Sequence, residues 1–94
     1  TEIKRNIEND ASQLLEEFEN GLRQTSFFNT EAMPEAAEIL RQAKISYEEG
    51  AIDYVEYLQA LQIVYDTKTQ YYNALYNYYS SIFKLEKLIA GDIK

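Results

Sequence analysis

Apolar residues recur at intervals of three and four along the first half of the chain, which is the spacing of one face of an α-helix. The first run is Ile3, Ile7, Ala11, Leu14, Leu15, Phe18 and Leu22. The second run is Met33, Ala36, Leu40, Ala43 and Tyr47. These runs predict two helical stretches, over about 2–24 and 31–49.

The segment between the two runs favours a change in the helix. Gly21 lowers helix propensity, and the residues TSFFNT at 25–30 prefer caps and turns. Thr30 could cap a new helix, with Pro34 in its first turn, where a missing N–H has no consequence. Alternatively, one helix continues with a kink at Pro34. We expect a kink or break near 25–34 and favour a single kinked helix.

A glycine separates the second run from a third helical pattern. Gly50 stands where a left-handed C-cap would lie, because glycine adopts that conformation without a Cβ penalty. Asp53 can cap the next helix, with Glu56 three residues later as in a capping box. Since so short a connection makes consecutive helices antiparallel neighbours, we predict a helical hairpin.

The third pattern predicts a long helix over about 53–90, closed by Gly91 as a second C-cap. Its first stripe follows a heptad-like spacing that only Lys68 interrupts. The first stripe is Tyr54, Tyr57, Leu61, Val64, Tyr71, Leu75, Tyr78, Ile82, Leu85 and Ile89. The second stripe, beside it, is Val55, Leu58, Gln62, Tyr65, Thr69, Tyr72, Tyr76, Tyr79 and Phe83. Two stripes predict two neighbouring helices.

The resulting fold class is all-α. We predict a long, antiparallel, coiled-coil-like helical hairpin, with the kink or break near 25–34, as one helical segment over residues 1–94. A hairpin alone covers the first stripe and leaves the tyrosines of the second exposed. The chain would therefore either fold back into a three- or four-helix bundle or associate with another helix.

Composition narrows the function. The 94 residues carry 16 acidic and 9 basic side chains, a formal charge of −7, which disfavours nucleic acid and anionic lipid surfaces as partners. Cysteine and histidine are absent, so thiol nucleophiles, the usual zinc ligands and the commonest general base are missing. We predict no enzyme activity, no cofactor and no metal site.

Residues 36–91 resemble the C-terminal part of TolC-type outer-membrane efflux channels, most of all the heavy-metal and cation efflux branch. The matching positions are Tyr47, Gly50, Ile52, Tyr54, Leu58 and Ala60. A long helix ending in LEKLIAG follows them, and FFNTEAMPEA before them also looks like that branch. The resemblance implies a piece of a larger protein, whose strands, lipid-anchor region and first structural repeat lie outside these residues.

The same resemblance implies a location and partners. The parent would be a homotrimer in the Gram-negative cell envelope, with long helices forming an α-barrel across the periplasm below a β-barrel in the outer membrane. This chain would be periplasmic and would reach the membrane only through the missing parts. Every barrel helix in that family has a neighbour on each side, which agrees with the two stripes.

In that family, the turn at Gly50 would lie at the periplasmic tip of the barrel, where the pore constricts and a periplasmic adaptor protein docks. The implied docking residues are Gly50, Ala51, Ile52, Asp53, Leu58 and Ala60. A pore constriction could involve Tyr47, Glu48, Glu49 and Glu56, together with Asp53, and would favour cations. Some members close the pore with a basic residue where this chain has Ile52, so that latch is not implied. The alternative is an independent helical coiled-coil interaction or scaffold module.

Overall fold

A computed structural model describes residues 2–93 and shows helix along nearly all of them. Helix α1 covers Glu2–Phe27, a π-helical turn covers Phe28–Ala32, α2 covers Met33–Glu48 and α3 covers Tyr54–Ile93. The described residues contain no strand. The prediction of an all-α antiparallel helical hairpin is confirmed.

The chain divides into two compact units. The turn unit, residues 26–72, holds the π-helical turn, α2, the hairpin turn and the first part of α3. The terminal unit pairs residues 2–25 of α1 with residues 73–93 of α3. Within the described residues each unit is therefore a pair of antiparallel helical segments, and neither is the predicted alternative of a three- or four-helix bundle.

In the turn unit, the residues of α3 that face α2 follow a strict heptad. The buried and half-buried positions of α3 recur there at alternating intervals of three and four residues. These positions are Tyr57, Ala60, Val64, Thr67 and Tyr71. The rings of Tyr47 and Tyr57 and those of Phe28 and Tyr71 mark the two ends of this contact. Lys68, which interrupts the predicted first stripe, is exposed and lies outside the contact.

In the terminal unit, α3 meets α1 with the same periodicity, at Ala74, Tyr78, Ser81, Leu85 and Leu88. The first stripe was thus correct at every second position from Tyr57, and each of its later remaining positions comes one residue after a contact position. Two of these, Leu75 and Ile82, are themselves half-buried. Several contact positions that the first stripe missed carry small residues, such as Ala74 and Ser81, and these are buried. Small side chains let two helix backbones approach closely, and a search for large apolar residues overlooks them.

Gly21 has a packing role in the terminal unit that its low helix propensity does not reveal. It is buried within α1, which continues past it to Phe27. A Cβ placed on Gly21 would lie 3.0 Å from Cα of Tyr78 and 3.2 Å from its Cβ. The Phe18 ring packs beside the same tyrosine, with ring centroids 5.4 Å apart.

The backbone stays helical where a kink or break was predicted, and it widens there into the π-helical turn. The N–H of Met33 donates to the carbonyl of Phe28, five residues back. Thr30 does not cap a new helix: its hydroxyl donates to the carbonyl of Ser26 at 2.7 Å. Pro34 lies in the first turn of α2, as in the alternative that we did not favour, in which a new helix begins near Thr30.

Candidate functional site

The hairpin turn is built by a glycine in a left-handed conformation. Gly50 has φ 78°, which confirms the predicted C-cap. Its N–H donates to the carbonyl of Tyr47 at 3.1 Å, and the N–H of Ala51 donates to the carbonyl of Ser46 at 2.8 Å. This pair of bonds is a Schellman motif, which satisfies the last carbonyls of α2 and reverses the chain.

Helix α3 begins with the predicted side-chain cap. Oδ1 of Asp53 accepts the N–H of Glu56 at 2.8 Å, which satisfies one of the free donors of the first turn. The reciprocal bond of a full capping box is not formed in this part of the chain. Gly91 is not a C-cap, since α3 continues through it and Gly50 is the one glycine with positive φ in the described residues.

Three tyrosines brace the turn from the two helices that it joins. The Tyr47 ring, from the last turn of α2, stacks on Tyr57 of α3 with centroids 5.2 Å apart and an interplanar angle of 17°. It also lies 6.1 Å from the Tyr54 ring. Aromatic pairs at these distances add stability beyond their buried area. The turn is therefore held by side chains as well as by its backbone bonds.

The residues of the expected docking site fall into two groups. Gly50, Ala51, Ile52 and Asp53 form the connection itself, where Ile52 is half-buried and the other three are exposed. Leu58 is exposed on α3. Ala60, in contrast, is only 6% exposed and lies on the face of α3 that meets α2. A docked protein could reach the connection and Leu58, whereas Ala60 acts through the spacing of the two helices.

Carboxylates surround the turn. The side chains of Glu48, Glu49, Asp53 and Glu56 are all exposed, and Tyr47 is 41% exposed beside them. Four negative charges at one end of the turn unit produce a negative local potential that attracts cations and basic surfaces. In residues 2–93, no group of carboxylates is arranged to hold a metal ion.

The second stripe lies open along α3. In the turn unit it includes Leu58, Tyr65 and Tyr72, and the Tyr65 side chain is 67% exposed. In the terminal unit it includes Tyr76, Tyr79 and Phe83, and Tyr76 is 72% exposed. None of the nine stripe positions carries a charge. An uncharged aromatic surface of this kind is typical of an interaction site.

The terminal unit also has a polar groove between its two helices. The groove is lined by Glu17, Asn20, Gly21, Gln24, Asn77, Ser80 and Lys84. Nζ of Lys84 lies 3.9 Å from a carboxylate oxygen of Glu17, and both side chains are largely exposed, so this ion pair contributes little to stability. Because successive helical residues are about 100° apart, the groove residues and the second stripe occupy different faces of α3.

No family model, curated protein or solved structure matches this chain. None of the helices, over the residues that the structure describes, has the length and apolar character needed to cross a bilayer.

Proposed function

We propose that the chain is a periplasmic α-barrel segment of an outer-membrane efflux channel of the TolC type, contributing the pore tip and the adaptor-docking hairpin. One observation carries this proposal. Helix α3 is covered on one face by its hairpin partner and exposes the uncharged, aromatic second stripe on another. A helix in the wall of a barrel has a neighbour on each side, so it needs one contact face for its hairpin partner and a second for the next helix.

The terminal unit has an aromatic side, the second stripe, and a polar side, the groove, as a helix pair in such a wall would need. The second stripe would pack against the next helix of a homotrimer, where a tyrosine can bury its ring and keep its hydroxyl at a wet edge. The polar groove would face water. Conduction through such a wall requires no catalysis, cofactor or bound metal, and contact with the outer membrane would come from other parts of the parent.

The turn would form the periplasmic tip. Ala51 and Ile52 offer a small apolar surface, and the surrounding carboxylates offer negative charge to a complementary, basic adaptor surface. Within the trimer, the acidic residues Glu48, Glu49 and Glu56, near Tyr47, would favour the passage of cations. Ala60 would set the distance between the helices that carry the tip.

The exposed stripe also favours a second candidate, an independent helical scaffold that pairs through coiled-coil contacts. A self-paired scaffold would cover the stripe with another copy of the same chain and would leave the acidic turn as a solubility feature. The two candidates differ in what occupies the turn: the channel docks an adaptor there, and the scaffold leaves it free.

Crosslinking from the turn tests the proposal. A cysteine replaces Ile52 in the protein as the cell makes it, and a bifunctional crosslinker is added to intact cells. We expect capture of a periplasmic adaptor, identified by mass spectrometry. The matched control is Asp66→Cys, an exposed position on α3 away from the turn. Equal capture from both positions, or capture of another copy of the chain only, would contradict adaptor docking and would favour the scaffold.

A further inference from the structure

We propose that the π-helical turn Phe28–Ala32 is a one-residue register insertion, which places the small residues of α2 against α3 and can be deleted without loss of the fold. A π-helical turn holds one residue more than an α-helical turn, because its hydrogen bonds span five residues instead of four. The π-helical turn and its contacts lie within the turn unit, and its effect on register is independent of the proposed channel function.

The spacing of buried residues shows the inserted position. Phe28 and Ala36 both face α3: the Phe28 ring lies 6.5 Å from the Tyr71 ring, and Ala36 is only 3% exposed. They are eight residues apart in the sequence, whereas a heptad would separate equivalent positions by seven. The π-helical turn lies between them and accounts for the difference.

An uninterrupted α-helix would present the wrong residues. Seven and fourteen residues after Phe28, the contact positions would be Glu35 and Gln42, which are exposed in the structure. Burial of a carboxylate or an amide without a partner is unfavourable. With the extra residue, the contact instead takes Ala36 and Ala43, which are buried and half-buried. The small apolar residues of α2 therefore face α3 only in the register that includes the extra residue.

The position of the turn also has a physical reason. Pro34 has no N–H and cannot donate to the carbonyl of Thr30, four residues back, so the α-helical bonding is already interrupted there. A π-helical turn at this point therefore breaks fewer α-helical backbone hydrogen bonds than it would elsewhere in the helix. Deletion of Asn29 would leave Met33 four residues after Phe28, and the bond between them would become an ordinary α-helical one.

Thermal unfolding of deletion variants of the full chain, followed by circular dichroism, tests this proposal. Deletion of Asn29 removes the surplus residue, and we expect a Tm equal to or above that of the parent with no loss of helix. Deletion of Glu38, another exposed residue, leaves Ala36 and Ala43 in different registers, and we expect a clearly lower Tm. Asn29→Ala controls for loss of the side chain alone.

The Tm values of the two deletion variants decide between the possible outcomes. A Tm at or above the parent for the Asn29 deletion, with a decrease for the Glu38 deletion, supports the register insertion. A Tm for the Asn29 deletion below that of the parent, or failure of this deletion to fold, overturns it, because the turn would then stabilise the chain by its own shape. An unchanged Tm for the Glu38 deletion also overturns it, because the register of α2 would then not matter.

Discussion

Gly21 lies against the backbone of Tyr78, so closely that a methyl group on the glycine would come within 3.0 Å of the tyrosine Cα. Backbone atoms cannot move aside as the end of a flexible side chain can. The backbones of α1 and α3 are therefore in close contact at Gly21. Ser81, only 2% exposed, lies one turn further along the same face of α3.

The first prediction concerns this contact. Gly21→Ala should gain about 1 kcal/mol of helix propensity but lose about 1–3 kcal/mol through overpacking against Tyr78. We expect a net decrease in the free energy of unfolding, measured with urea. Gly91→Ala is the matched control, because Gly91 is helical and no atom outside its local backbone lies within 4 Å of an added Cβ. It should leave stability unchanged or raise it. Equal stabilisation by both substitutions would show that Gly21 is not a close contact.

The second prediction concerns the turn. Gly50→Ala should destabilise the hairpin by roughly 1–2 kcal/mol, because an alanine Cβ disfavours the left-handed conformation that φ 78° requires. No atom lies within 4 Å of the added Cβ, so the loss would come from the backbone alone. Gly50→Asn should lose less, since asparagine tolerates that conformation. Urea unfolding of both variants measures the difference, and equal losses would point to another cause.

The third prediction separates Ala60 from Leu58. Ala60→Leu should destabilise the chain by about 1–3 kcal/mol, because the extra side chain must enter the contact between α2 and α3. Leu58→Ala should change stability by no more than about 0.5 kcal/mol, since Leu58 is exposed. If the turn docks an adaptor, Leu58→Ala should also weaken crosslinking from position 52. A stable Ala60→Leu variant would mean that this contact is loosely packed.

Local chemistry explains what the sequence could predict at the turn. Gly50 and Asp53 act through bonds to residues within a few positions of themselves, so their roles can be inferred from the residue types alone. Gly91 also predicted a helix end, but α3 continues through it. A helix tolerates a glycine at a cost of only about 1 kcal/mol. Whether the helix ends at a glycine depends on the surrounding structure.

Contacts between helices were harder to predict. The heptad of α3 depends on small residues such as Ala74 and Ser81, which a hydrophobic pattern overlooks in favour of their larger neighbours. The shifted register of α2 depends on one extra residue between Phe28 and Ala36, and no single residue type signals it. The second stripe was visible as a pattern, and the structure leaves Tyr65, Tyr72 and Tyr76 on it exposed.

The fourth prediction concerns the second stripe in the terminal unit. Tyr76→Ser and Tyr79→Ser together should change the Tm of the monomer only slightly, because both rings are mostly exposed. The same pair should weaken association of the full chain with itself or with the neighbouring helices of its parent. Light scattering across a concentration series measures the assembly. Asn73→Ser with Asn77→Ser, on the polar side, is the control. An unchanged assembly mass in the tyrosine variant would show that this part of the stripe is not a contact.

The last prediction concerns the charge pair on α2. Hydrogen bonds from Arg41 and Gln42 lower the pKa of Glu38 to about 2 from its ordinary 4.5. A depressed pKa means that the pair contributes above about pH 4.5 and that its contribution is lost as the pH falls towards 2. Arg41→Gln should therefore raise the pKa of Glu38 towards its ordinary value, measured by NMR titration of the side-chain carboxyl carbon. Lys44→Gln removes a cation from the same helix without removing either bond, and should shift this pKa far less. Equal shifts would show that the general field of the helix, and not the Arg41 contact, keeps Glu38 ionised.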